Sequence, residues 1–289
     1  MAITVDTKLI PLLGEPLRQS FSPRIQNAAY RAIGFDGCYF PLEVTTEHLG
    51  EVVAALRRMN VAGFAVTKPN KVEILNYLDE LDPLAEKMGA CNTVVKNGDV
   101  LKGYNTDGEG CVTDLKQNGV DIEKSAFFCL GAGGAGKAVC FALAHHGTKR
   151  FYIADILDEA AKALAEDLNR NFGPVAAFCK TADRENFLGM VKASDVLMNM
   201  AGVGMYPHVG ETWIDKAALV HRPVCLDATY NPLKTQFLME AEEMGCKIIG
   251  GLGMLINQGA LQISLWTGHP EPYEVMKAEI NAIVREMQG

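Results

Sequence analysis

The sequence carries little that would tie it to a membrane, a metal or a nucleic acid. Positive charge is the scarcer sign, with 27 lysines and arginines against 35 aspartates and glutamates and a formal net charge of −8. A surface of that sign argues against nucleic acid as the main partner, although local cations can still hold an anionic substrate. The opening residues, MAITVDTKLI, show neither the basic stretch nor the apolar run of a secretory signal. The most apolar long segment, residues 126–144, is broken by glycines and Lys137, so no membrane helix is expected there. The eight cysteines are scattered, no C-x-x-C occurs, and the six histidines show no ligand spacing. No metal is therefore expected. Reduced, buried thiols in the cytoplasm are the reading that follows.

What is present is an alternation of short apolar runs and amphipathic stretches. KLIPLLG, CYFPLEV, GFAVT and CNTVV read as strands. SPRIQNAAYRAIG reads as a helix capped by Ser22, opened by Pro23 and stopped by Gly34. TTEHLGEVVAALRRM puts Leu49, Val52, Val53 and Leu56 on one helical face. A second series, AFFCLG, RFYIAD, VAAF, DVLMNM, PVCLDAT and CKIIG, predicts about six strands with helices between them. That is the doubly wound pattern of a dinucleotide-binding domain. The expected fold is α/β, an N-terminal α/β substrate domain plus a doubly wound Rossmann domain. The expected division is 1–107 with 252–289 for substrate and catalysis, and 108–251 for the dinucleotide.

CLGAGGAGKAVC, residues 129–140, fits two phosphate-binding patterns at once. Gly131 to Lys137 satisfies G-x-x-x-x-G-K of an ATP-binding loop, but position 138 is Ala where that loop needs Ser or Thr for magnesium. The same stretch satisfies G-x-G-x-x-G, between a strand and a helix as a dinucleotide site requires. Gly131, Ala132, Gly133, Gly134, Ala135 and Gly136 are thus the candidate pyrophosphate cradle. The fingerprint asks for an acid about 20 residues on. Asp155 ends RFYIAD, followed by Ile156, Leu157, Asp158 and Glu159, with no arginine to clamp a phosphate. NAD is expected rather than NADP.

A dehydrogenase acting on an alcohol needs a group to take the hydroxyl proton. Lys71 in VTKPNKVEIL, expected in the first turn of a helix beginning near Pro69 or Asn70, and Asp107 in GYNTDGEG are the candidates. SFSP, VTKPNK, GACNTVV, GYNTDGEG, GAGGAGKA and GLGMLINQGA then follow one another in an order that resembles the shikimate/quinate 5-dehydrogenase family along almost the whole chain. The resemblance implies that Lys71 and Asp107 are the catalytic pair. It implies that Ser20 and Ser22 hold the substrate carboxylate, and that Thr67, Asn92 and Gln258 meet its hydroxyls. It places Tyr230 at the junction of substrate and nicotinamide, and Gly253 beside the nicotinamide. The implied reaction is hydride transfer between a nicotinamide and a small cyclic hydroxy acid, shikimate or quinate, in a monomer or homodimer. Two features depart from the family pattern. Asp155, Ile156 and Leu157 stand where NADP-using members carry Asn, Arg and Ser or Thr, which points to the NAD-using quinate/shikimate branch. Asn199, Met200 and Ala201 lack a hydroxyl found in other members. Three alternatives stand beside this reading: an NADP-dependent biosynthetic shikimate dehydrogenase, a dehydrogenase of another cyclic polyhydroxy or amino acid, and a non-catalytic NAD sensor.

Overall fold

The computed structural model describes residues 3–288. The chain divides into two compact units, Met1–Thr106 with Ile256–Gly289, and Asp107–Leu255. The boundaries fall within helices α4 (Thr106–Gln117) and α9 (Gly251–Thr267).

The first unit is built on β1 (Lys8–Gly14), β2 (Gly37–Glu43), β3 (Gly63–Val66), β4 (Glu80–Leu81), β5 (Thr93–Asn97) and β6 (Val100–Tyr104). Their order is β2-β1-β3-β5-β6-β4. β1 runs parallel to β2 and β3, but β5 is antiparallel to both β3 and β6. The sheet is therefore mixed, although strand-like runs and amphipathic stretches alternate along this part of the chain. The cause is a tight hairpin: Asn97 pairs with Val100 across a Gly98–Asp99 turn, with Gly98 at φ 59°. Helices α1 (Ser22–Ile33), α2 (Leu49–Arg58), α3 (Pro83–Met88) and α10 (Tyr273–Gln288) belong to this unit. α1 stops at Gly34, φ 69°, as its sequence indicates. Its start differs from expectation. The N-cap residue is Phe21, Ser22 lies inside the helix, and the Ser20 hydroxyl accepts the Ser22 N–H at 3.3 Å. α2 buries Leu49, Val53 and Leu56 against Phe64, Val66 and Val94. Each such side chain contributes about 1.5–3 kcal/mol when taken from water.

The second unit holds β7 (Ala126–Leu130), β8 (Arg150–Ala154), β9 (Ala176–Phe178), β10 (Val196–Asn199), β11 (Val224–Asp227) and β12 (Ile248–Ile249). All pair in parallel, in the order β12-β11-β10-β7-β8-β9. Read from β9, this is the doubly wound order 3-2-1-4-5-6. α5 (Gly134–His145), α6 (Asp158–Phe172), α7 (Arg184–Lys192) and α8 (Gln236–Glu243) complete it. Phe128 on β7 stacks on Trp213 at 5.6 Å between ring centres and meets Phe187 edge-on. Leu130 pairs in register with Ala154 and with Asn199, and Asn199 with Asp227. One row of strand ends thus forms the carboxyl edge of the sheet. The topological switch lies between β7 and β10, where open α/β sheets bind their ligands.

Candidate active site

In the second unit the five buried residues of β7 run straight into the glycine loop. Gly131 sits at φ 104°, and a side chain there would strike the backbone of Met200 and Ala201 after β10. A Cβ on Gly136 would run into the Gly131 carbonyl oxygen. These two glycines are demanded by packing. Gly133 and Gly134 are different. Apart from chain neighbours and the backbone of its own helix, a Cβ on either would meet no heavy atom of the described residues within 4 Å, and no side chain among them caps α5 at Gly133. Unsatisfied N–H groups at a helix N-terminus beside open space suit a pyrophosphate. The residues present therefore fit a dinucleotide.

Asp155 follows β8, and its carboxylate lies on the loop. Oδ2 accepts the Ala132 N–H at 2.7 Å and Oδ1 accepts the Leu157 N–H at 2.9 Å. Ile156 and Leu157 beside it are 88% and 67% exposed, a large apolar surface left at the loop. The ATP-loop reading fails on a second count. Lys137 reaches away to α6, where its Nζ pairs with Asp167 at 3.2 Å.

Two buried carboxyls in this unit were not foreseen. Asp227 ends β11. Its Oδ2 accepts Thr235 Oγ1 at 2.7 Å and Asn199 Nδ2 at 2.8 Å, and its Oδ1 accepts the Thr229 N–H at 2.8 Å. Burial raises its pKa against those hydrogen bonds, which lower it. The network fixes the loop that carries Tyr230, whose phenol burial also pushes up. Asp114, on α4, is 4% exposed. Burial pushes its carboxyl up to about 6, against a hydrogen bond from Asn118 and one from the Met254 N–H. A side chain on Gly253 would collide with that carboxylate. Gly253 thus has a packing reason of its own.

In the first unit the Lys71 segment is a turn. The helical segment after it is a five-residue 3-10 helix that starts only at Glu73. The expected first-turn placement is overturned, because the short 3-10 segment leaves Lys71 outside any helix. Backbone bonds hold the turn. Thr67 donates to Leu13 O at 2.8 Å, Asn70 donates to Thr67 O at 2.9 Å, and Cys91 donates to Lys71 O at 2.8 Å. The Asn70 side chain, wholly buried, donates to Val44 O at 2.8 Å and accepts the Thr46 hydroxyl at 3.1 Å. Lys71 and Thr67 are partly exposed above this frame.

The Cys91 bond ties Lys71 to the segment bearing Asn92, which is 3% exposed. Asn92 Nδ2 donates to Thr106 Oγ1 at 2.9 Å, and Asn92 Oδ1 accepts the Thr106 N–H at 2.8 Å. Thr106 Oγ1 lies 3.4 Å from Gln258 Oε1. The structure therefore brings Asn92 and Gln258 together through Thr106, a residue the sequence reading passed over. The Ser22 hydroxyl hydrogen-bonds to Tyr39, whose phenol burial pushes well above its ordinary range. Asp107 lies in the first turn of α4 and belongs, with Tyr230, Gly253 and the glycine loop, to the second unit.

A glycine cradle with an acid after the second strand of a doubly wound sheet, and a separate buried amide–hydroxyl cluster, fit the class of nicotinamide-dinucleotide oxidoreductases. Comparison with known proteins gives the family. Residues 12–94 match the shikimate dehydrogenase substrate-binding domain, and residues 251–280 match the shikimate 5'-dehydrogenase C-terminal domain. A protein named shikimate dehydrogenase (NADP(+)) from Caldanaerobacter subterraneus subsp. tengcongensis is 40% identical, over 93% of this chain and 94% of that one. One named quinate/shikimate dehydrogenase from Escherichia coli is 36% identical over 96% and 98%. The crystal structure of shikimate 5-dehydrogenase from Listeria monocytogenes, in complex with shikimate and NAD, superposes with a TM-score of 0.93 at 37% identity, covering 97% and 98%. The chain belongs to the shikimate dehydrogenase family.

Proposed function

We propose that the chain interconverts shikimate and 3-dehydroshikimate, with quinate and 3-dehydroquinate as the related pair, and that it uses NAD. The observation that carries the substrate reading is the buried Asn92–Thr106–Gln258 cluster on the frame that holds Lys71. Amides and hydroxyls gathered in a core are suited to a small molecule rich in hydroxyls, and of little use against an apolar one. The first unit is the substrate and catalytic domain, and the second unit holds the dinucleotide.

Lys71 takes the proton from the ring hydroxyl when the alcohol is oxidised, and returns it to the carbonyl oxygen in reverse. Asp107 is the second member of the acid–base pair and stabilises the lysine once it is protonated. Ser20 and Ser22 hold the carboxylate. Thr67, Asn92 and Gln258 orient the hydroxyls, and Tyr230 and Gly253 border the reacting carbon. The nicotinamide, when bound, takes up the carbinol hydrogen with its electron pair. The glycine loop and α5 receive the pyrophosphate, and Asp155 accepts from the ribose hydroxyls.

What supports NAD is the charge of Asp155 after β8, which would repel the extra phosphate of NADP, with Ile156 and Leu157 rather than an arginine beside it. The comparisons favour the second reading, an NADP-dependent biosynthetic enzyme, over NAD: several of the similar relatives bear NADP(+) in their names. The test of the substrate reading is steady-state oxidation of shikimate and of quinate with either dinucleotide. Turnover of one or both is expected, and the better acid defines the preference. Inactivity on both overturns the proposal.

A further inference from the structure

Behind Asn92 lies a line of buried polar side chains that the proposed chemistry does not use. Gln26 on α1 and Thr93 on β5 are fully buried, and Gln262 on α9 is 3% exposed. Gln26 Nε2 donates to Gln262 Oε1 at 2.9 Å. Gln262 Nε2 donates to Thr93 Oγ1 at 2.9 Å, and Thr93 Oγ1 donates to Asn92 Oδ1 at 2.8 Å. Every donor in the line points the same way. Gln26 Oε1, at the outer end, is buried with no partner among the described residues. An apolar pair of the same shape would fill this space without leaving a buried acceptor unsatisfied. The line is therefore a poor way to build a core, and its effect lies at its inner end.

That effect is to fix which way round the Asn92 amide sits. A threonine hydroxyl has one hydrogen. With Gln262 donating onto Thr93 Oγ1, that hydrogen goes to Asn92 Oδ1, which also accepts the Thr106 N–H at 2.8 Å. A flipped amide would set its NH2 against two donors at once. We propose that Gln26 and Gln262 are positioning residues that, through Thr93, lock the Asn92 amide with its nitrogen as the group offered to a substrate hydroxyl. The inference rests on the proposed role of Asn92 as a substrate contact. Neither glutamine touches substrate in it.

The test compares wild type with Gln262→Met and with the double variant Gln26→Leu/Gln262→Met. Gln262→Met takes from the Gln26 amide its 2.9 Å acceptor, leaving the longer 3.4 Å bond to Gly259 O, and loosens Asn92. A lower Tm and a KM for shikimate raised about tenfold are expected, with the KM for the dinucleotide unchanged. The double variant leaves no buried glutamine unpaired, so Tm recovers while the KM for shikimate stays raised. If the KM returns with Tm, or never moves, the glutamines are packing residues and the inference is overturned. A second readout does not depend on the substrate. The Asn92 side-chain NH2 signals are expected to exchange slowly with solvent in wild type and faster in the double variant, and equal exchange overturns the inference. A wild type that oxidises no cyclic hydroxy acid, yet keeps this exchange difference, defeats the functional reading and leaves the positioning role standing.

Discussion

The two units use their polar residues in opposite ways. In the second, the groups proposed to face the ligand are mostly backbone, glycines cleared of side chains and a helix end with no side-chain cap among the described residues, joined by one side-chain carboxylate that accepts from the loop. In the first, they are side chains buried in a core and held by other side chains. A backbone cradle suits a phosphate, which every dinucleotide shares. A side-chain cluster suits a particular pattern of hydroxyls. On the proposed roles, the difference teaches that cofactor preference turns on one residue, whereas substrate recognition is spread over a network.

The largest effect that sharpens the contrast is on Lys71. Lys71→Ala is expected to lower kcat by about two to four powers of ten, the scale of general acid–base catalysis. Dinucleotide affinity, a property of the other unit, should stay at the wild-type value by titration. Next comes the buried carboxyl of Asp114. Its folded-state pKa of about 6 lies above its ordinary value of 3.8. The folded form therefore binds the proton more tightly, and stability present below about pH 4 is lost as pH rises through about 6. The loss is about 3 kcal/mol at 1.4 kcal/mol per pKa unit. Urea melts at pH 4.5 and 7.5 should show about 2 kcal/mol of it in wild type, the rest being lost already below pH 4.5, and Asp114→Asn should flatten the difference.

The glycines separate packing from binding within one loop. Gly136→Ala forces a methyl into the Gly131 carbonyl and should cost about 1–3 kcal/mol of stability as well as dinucleotide binding. Gly134→Ala enters open space. It should leave Tm near wild type and still weaken dinucleotide binding about tenfold, by crowding the pyrophosphate. The smallest effect is the one that moves preference alone. Asp155→Ser should shift the ratio of kcat/KM for NAD over NADP about tenfold toward NADP, with the KM for shikimate unmoved. A coupled change in shikimate KM would break the comparison between the units.

The same contrast governs what could be read in the sequence. All six strands of the second unit show as short apolar runs, and the glycine loop and Asp155 stand at fixed spacings, because a parallel sheet and a backbone cradle leave local signatures. In the first unit the antiparallel hairpin leaves one local signal, Asn97–Gly98 between apolar runs, and its pairing partners are set by the sheet. The Lys71 segment looked like a helix start because Pro69 and Asn70 are common there, and only the tertiary bond from Cys91 to Lys71 O shows it to be a held turn. The cluster around Asn92 joins residues separated by up to 236 positions, which no local pattern encodes. One trace of it is visible: Gln258 and Gln262, four residues apart on the largely apolar α9, share a helical face.

The measurement that bears most directly on the account is kcat/KM for shikimate oxidation by wild type, with NAD and with NADP side by side. Turnover with NAD clearly above NADP is predicted, from Lys71 in one unit and Asp155 in the other. Preference for NADP would contradict the role given to Asp155, and inactivity with both would contradict the function itself.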